Sequence, residues 1–236
     1  FRCPHRGEAQ AFGLNGTFGG HVDDSHPDVV QFLDFVTYLI PETTEREYVL
    51  NWLAKKVRDP SFRGNAILMV APNQGTGRTT LASMVRELIG TRYCSSLEFG
   101  ALDSQFNPYA KKLFVSFDET KTSNHRSEQQ YETLKRTVDP RAGILNLNEK
   151  YRAQRDIMCY LSVWLFSNHL NAVSHLDGDR RFYVVQNVAS PRSSEFFITL
   201  NQWLDKGEWL SGVYQWLLAR ELGDWNGYAH APMTAG

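Results

Sequence analysis

Apolar residues along the chain follow two different rhythms. From Asp28 onward Val29, Phe32, Leu33, Val36 and Leu39 recur every three or four positions, and beyond Pro41 the spacing resumes with Tyr48, Trp52 and Leu53, which predicts two helices. The stretch 66–71, AILMVA, is instead a short continuous apolar run, the pattern of a strand covered on both faces. A glycine-rich turn follows, and LASMVRELIG then returns to helical spacing and stops at Gly90. Three further strands are predicted: LFVSFDE over 113–119, YLSVWLFSN over 160–168, and RFYVV over 181–185 after DGDR. Residues 194–222 predict closing helices, with Trp203, Trp209 and Trp216 as core anchors. Residues 1–27 carry five glycines and no period, so they predict an irregular arm or the end of a preceding domain. Alternating strands and helices imply an α/β fold with a parallel sheet flanked by helices. In such sheets ligands bind outside the carboxyl ends of the strands, where two carboxylates and an amide gather here.

Composition narrows the class without naming a function. A chain of 236 residues with 42% apolar content is expected to fold around one core, and a formal charge of −1 provides no global attraction for nucleic acid. Any nucleic-acid contact must therefore be local. No apolar run is long enough for a membrane helix and the N-terminus lacks a signal-peptide pattern, which gives the expectation of a protein of the host-cell cytoplasm with no membrane partner. Cys3, Cys94 and Cys159 are scattered, with no CxxC pair, so reduced thiols are expected. The chain opens at Phe1, which suggests a piece of something longer, although processing would look the same.

The segment APNQGTGRTT, 71–80, lies between a predicted buried strand and a helix, where backbone N–H groups can surround phosphate oxygens. Aligned to GxxxxGK[ST] over 72–79, it supplies Gly77 as the second glycine and Thr79 as the hydroxyl for magnesium. Asn73, Gln74, Gly75, Thr76, Gly77, Arg78, Thr79 and Thr80 are the candidate nucleotide-binding residues. Two positions depart from the pattern: Pro72 replaces the first glycine, and Arg78 replaces the lysine. An arginine keeps the charge but not the shape, so phosphate binding survives more readily than turnover. The bland alternative is a glycine turn before a helix. About 40 positions on, Asp118 and Glu119 close a strand in a layout suited to an ATPase, where the first holds Mg²⁺ through water and the second activates the attacking water; an acidic pair taken alone is otherwise a common surface feature, less so directly after the apolar LFVSF. Asn168, at the end of the next strand, is placed to orient that water or touch the γ-phosphate; at a strand end it is otherwise a turn former.

Taken together, GTGRTT, LFVSFDE, VWLFSN and DRRF resemble a superfamily 3 helicase domain, of the primase–helicase type found in phages and mobile elements. The resemblance covers roughly residues 28–190 and implies an AAA+-related P-loop sheet, ATP and Mg²⁺ as cofactors, and a ring, typically a hexamer, that moves on single-stranded or forked DNA. Together with the patterning it gives the expectation of an arm (1–27), an N-terminal helical segment (28–62), an ATPase core (63–190) and a C-terminal helical segment and tail (191–236), with a primase domain as a possible upstream partner. It assigns Gly75, Gly77, Arg78 and Thr79 to the phosphate loop, Thr79 and Asp118 to the metal, and Glu119 and Asn168 to catalysis. Arg180 or Arg181 would reach a neighbouring subunit's nucleotide; which of them does so is open.

Residues 135–155 hold six basic side chains against two acidic ones, and ILNLNEKYRAQ has the look of a hairpin with its basic residues at the turn. By the resemblance Lys150 corresponds to a basic pore-hairpin residue; Tyr151 beside it is suited to stack on a base, and Arg152 completes the candidate DNA contact. A solvated charged loop is the competing reading. Cys3, His5, His21 and His26 fit no trusted zinc spacing. The function these features imply is an ATP-dependent DNA helicase or translocase domain. Its rivals are a catalytically weak nucleotide-dependent ring or DNA clamp, because of Arg78, and an AAA+-type ATPase without unwinding activity.

Overall fold

The computed structural model describes residues 22–118, 127–139, 143–168 and 179–227. The predicted arm therefore lies almost wholly outside the described residues, as do Glu119, Cys3, His5 and His21. The first helix, α1 (Pro27–Leu39), begins with a proline in its first turn, where a missing N–H costs nothing, and His26 caps it by accepting from the Asp28 N–H. Pro27 thus belongs to the helix and not to the arm. Glu42 caps α2 (Thr43–Arg58) by accepting from the Glu45 N–H at 2.7 Å.

Five parallel strands form the sheet: β1 (Ala66–Val70), β2 (Cys94–Glu98), β3 (Phe114–Asp118), β6 (Ser162–Ser167) and β7 (Phe182–Gln186), in the order β2-β3-β6-β1-β7. Each strand predicted from sequence is present, with ends shifted by one or two residues. Between β3 and β6 the chain forms α4 (Ser127–Val138) and an antiparallel hairpin of β4 (Ile144–Leu147) and β5 (Arg155–Met158). Helix α3 (Arg78–Ile89) follows β1, while α5 (Ser194–Lys206) and α6 (Trp209–Ala219) close the chain, parted at Gly207.

Covered faces explain the unbroken apolar runs. Ile67 and Met69 of β1 face a core shared with α1, α2, α3 and α6, whereas Ala66, Leu68 and Val70 face a second core with α4 and the 3-10 turn Phe99–Asp103. The N- and C-terminal helical segments lie in one core: Trp209 and Trp216 are buried, and Trp203 donates to Asp28 at 2.7 Å. Two buried cations bind the amino ends of the strands. Lys56, 1% exposed, donates to the carbonyls of Pro60, Phe62 and Tyr160 at 2.9, 2.7 and 2.9 Å, and Arg63 donates to Leu161 O, just ahead of β6, at 3.4 Å and to Thr137 O in α4 at 2.7 Å. Among the described residues no helix is long and apolar enough to cross a membrane.

Candidate active site

The register of the strands brings the predicted chemistry to one edge. Val70 pairs with Ser167 on one side and Gln186 on the other, and Phe117 pairs with Leu165, so the loop after β1, Asp118 and Asn168 all lie at the carboxyl edge. There a cleft of about 560 Å³ opens between residues 75–80, Asp118, Asn168 and α5. Gly75 (φ +73°) and Gly77 (φ +97°) bend the loop through backbone conformations in which other residues are strained. Space at Gly77 is tight as well, since a Cβ there would stand 3.1 Å from the rings of both Phe35 and Phe197, which would have to shift by a few tenths of an ångström.

Behind the loop sits Asn187, fully buried. Its N–H donates to Val70 O at 2.8 Å, and its side chain accepts from Ala189 N and reaches Thr76 Oγ1 at 3.5 Å. Asn73 donates to Ala189 O at 3.0 Å, so its amide tethers the loop to the segment after β7; neither Asn73 nor Gln74 lines the cleft. Thr76 is buried, whereas Thr79 is exposed in the cleft and Thr80 borders it.

Arg78 is half-buried at the start of α3. Its guanidinium donates to Ser167 O at 2.9 Å and to Asn168 Oδ1. Burial draws its pKa down, and the charge of Asp118 opposes that shift; guanidinium remains charged throughout. Asp118 accepts from the Ser96 hydroxyl at 3.0 Å, and that hydroxyl in turn accepts from Ser116 at 3.2 Å, which fixes one carboxylate oxygen. Thr79 and Asp118 offer hard oxygen donors in a roomy cleft, a set that fits Mg²⁺ completed by phosphate and water. Among the described residues no group of three or more His, Cys, Asp or Glu could hold a metal alone.

The same cleft is lined by Phe166, Phe197 and Asn201, which sequence reasoning missed. Phe197 and Asn201 are one helical turn apart on α5, a spacing that put them on one face; no motif said which element that face would meet.

Arg180 and Arg181 lie at the other end of the sheet, because Phe182 pairs with Ala66, the first residue of β1. The length of β7 places them roughly 15–20 Å from the glycine-rich loop after β1. Arg181 is held by Asp139 at 3.3 Å and by both oxygens of Asp179 at 3.1 and 3.0 Å, whereas Arg180 is exposed.

The hairpin read from ILNLNEKYRAQ is β4–β5. Buried Leu147 roots it, and Asn148 N donates to Asn107 Oδ1 at 2.7 Å. Glu149 ties the tip to the body, accepting from Lys111 and from Arg155 at 2.8 Å; the Lys111 hydrogen bond, then that of Arg155, pulls its pKa below the usual carboxylate value. Lys150, Tyr151 and Arg152 form the tip. Tyr151 is 92% exposed with φ +62°, and the Lys150 Nζ lies 4.9 Å from its ring centroid.

Residues 69–181 match the model of a family of unknown function, DUF5906. The chain is 30% identical over 139 residues to the DNA primase-polymerase of Nitratiruptor phage NrS-1, a match covering 58% of this chain and 19% of that protein. Two apo structures of the NrS-1 C-terminal region superpose with a TM-score of 0.66. One is 21% identical and aligns with 89% of this chain and 49% of that one; the other is 24% identical and aligns with 83% and 46%. A JCV helicase structure matches with a TM-score of 0.50 at 17% identity, over 89% of this chain and 60% of that one. The chain thus spans about a fifth of the curated relative and about half of the solved phage region. At these identities the structural matches show a shared fold: an α/β domain with a five-stranded parallel sheet flanked by helices.

Proposed function

We propose that this chain is the motor portion of a phage or mobile-element replication protein: an ATPase of superfamily 3 type that binds ATP and Mg²⁺ at the cleft and moves on single-stranded or forked DNA. The observation that carries the reading is the convergence of the phosphate loop, Arg78, Asp118 and Asn168 on one cleft at the carboxyl edge. A bound Mg²⁺ neutralises charge on the phosphates, and Thr79 and Asp118 are the residues to hold it. The loop amides and Arg78 grip the phosphate oxygens, and Glu119 serves as the base for water. Arg180, exposed and far from its own loop, stabilises transition-state charge in the adjacent subunit of a ring, taken as a hexamer. The Lys150–Tyr151–Arg152 tip contacts the DNA strand. The protein works inside the host cell, and a primase domain upstream accords with the printed name of the phage relative.

A second reading rests on the Arg78 side chain: a slow or non-hydrolysing nucleotide-dependent clamp of the same fold. DNA-stimulated phosphate release separates the two, measured for the native chain, Arg78→Lys and Glu119→Gln. Turnover of the native chain above the Glu119→Gln control supports the motor. ATP and DNA binding with turnover no higher than that control, restored by Arg78→Lys, supports the clamp. Absence of ATP binding removes both.

A further inference from the structure

Lysine and arginine reach a phosphate in different ways, and the difference is visible around Arg78. An ammonium is a compact point charge that needs no orienting partner; a guanidinium is a planar fork of five donors whose effect depends on where the plane is held. Here the plane is held from β6. One Nη donates to Ser167 O, a carbonyl that also accepts the Ala71 N–H at 2.9 Å and so uses both of its lone pairs, and the other Nη donates to Asn168 Oδ1. Because a guanidinium has no acceptor, the oxygen of the Asn168 amide must be the atom that faces it. Among the described residues the other N–H groups of the fork make no hydrogen bond, and the side chain lines the cleft.

We infer that Asn168 is a positioning residue that acts on the phosphates through Arg78: with Ser167 O it clamps the guanidinium at the carboxyl end of β6, so that incoming phosphate adds hydrogen bonds to a fork already in place. This rests on the phosphate-site reading above and deepens it. It also gives the replacement of lysine by arginine a physical role, since the longer side chain spans from α3 to β6 and still presents donors to the cleft. Asn168 and Arg78 then form one device, and the cost of losing Asn168 depends on which residue occupies position 78.

A double-mutant cycle on the full chain tests this, using ATP and ADP dissociation constants with thermal melting as the check on folding. Asn168→Ala in the native chain should weaken ATP binding about tenfold, the loss of one charge-assisted hydrogen bond's worth of positioning. In an Arg78→Lys background the same change should cost less than about twofold, because an ammonium has no plane to hold. Equal losses in both backgrounds, or a native-background loss confined to kcat with unchanged ATP affinity, would show that Asn168 acts on phosphate or water directly and would overturn the inference while leaving the phosphate site intact. Absence of ATP binding by the native chain would instead overturn the phosphate-site reading itself. If Asn168→Ala lowers the melting temperature, Asn168→Ser, which keeps a polar side chain too short for Arg78, repeats the cycle with the same two outcomes.

Discussion

Arg180 and Arg181 are adjacent in sequence but make different demands on experiment. Arg181 makes hydrogen bonds of 3.0–3.3 Å to Asp139 and Asp179, with side chains 27%, 23% and 12% exposed respectively. Charge-assisted bonds of this type contribute about 1.5–3 kcal/mol when dry, and partial exposure screens them, so Arg181→Ala is expected to cost roughly 2 kcal/mol and to leave two carboxylates without their shared cation. For a domain of this size that lowers Tm by about 4–8 °C. Arg180→Ala removes an exposed side chain and should change stability by no more than about 0.5 kcal/mol.

On activity the order reverses. If Arg180 completes the neighbour's site, its loss should lower DNA-stimulated ATP turnover by about 10³-fold or more, with nucleotide affinity nearly unchanged. Mixing decides whether it acts across the interface. An Arg180→Ala subunit keeps a whole phosphate site, and an Asp118→Asn subunit keeps a whole arginine, so a randomly assembled one-to-one ring has about one interface in four with both parts, a half chance for each. Two inactive preparations should therefore recover about a quarter of native turnover on mixing. Normal turnover by Arg180→Ala, or no recovery on mixing, would refute this assignment; loss of turnover by Arg181→Ala at unchanged Tm would point to Arg181 instead.

Four further outcomes follow from individual environments. Gly77→Ala should cost about 1–3 kcal/mol and phosphate binding, from φ +97° and ring contacts at 3.1 Å, whereas Gly75→Ala meets no atom within 4 Å and should cost about 1 kcal/mol; denaturant melts of the pair check the difference. Burial raises the pKa of the Glu45 carboxyl, outweighing the hydrogen bond it accepts from Gln186 N at 3.0 Å. The folded state therefore holds the Glu45 proton more tightly than the unfolded chain, and the stability this contributes below the unfolded pKa is lost as pH rises through the folded one; Glu45→Gln should raise Tm at pH 7–8, with a gain that shrinks towards pH 4. Tyr151→Ala should weaken single-stranded DNA binding by about 1–3 kcal/mol with little change in the salt slope, while Lys150→Ala should reduce that slope, both read by fluorescence anisotropy across salt. Burial pushes the Cys94 thiol up to about 12, so its alkylation at pH 8 should proceed only as fast as the domain unfolds.

Much of this architecture was readable because each strand of the sheet's centre is covered on both faces and must be apolar throughout. AILMV, FVSF and VWLF could hardly be anything else, and their polar terminators marked the edge where chemistry gathers. Strand β2 escaped the same reading because CSSLE lies at the sheet's edge and alternates in burial without an apolar run. The burial of Lys56 and Arg63 has no local signal, since nothing in the sequence announces that backbone carbonyls ahead of the strands, and for Arg63 one from α4, will surround them. Asn187, Phe197 and Asn201 reach the glycine-rich loop and its cleft only through tertiary packing, so a motif scan that stops at the loop, the acids and the strand-end amide cannot find them.

The two ends of the sheet carry complementary halves of one proposed reaction. At the carboxyl edge a loop, a carboxylate and an arginine held by an asparagine converge, and at the amino edge an exposed arginine is carried beside a neighbour that two carboxylates immobilise. A parallel sheet cannot bring its own two edges together, because each strand holds them a full strand length apart. Contact between them requires another copy placed head to tail, and a head-to-tail contact closes into a ring or continues as a filament. The rigid anchoring of Arg181 matters to that arrangement: tied to Asp139 at the end of α4 and to Asp179, it fixes the backbone from which Arg180 projects. Asp139 directly follows α4 and precedes the β4–β5 hairpin in sequence, so the stretch of chain that steadies the projecting arginine also carries the Lys150–Tyr151–Arg152 tip. Coupling between nucleotide at one interface and the proposed DNA contact then has a short route, from Arg180 to its neighbour Arg181, across the Arg181–Asp139 ion pair and along the chain to the hairpin, and Asp139→Asn should loosen it, lowering DNA stimulation of ATP turnover more than basal turnover.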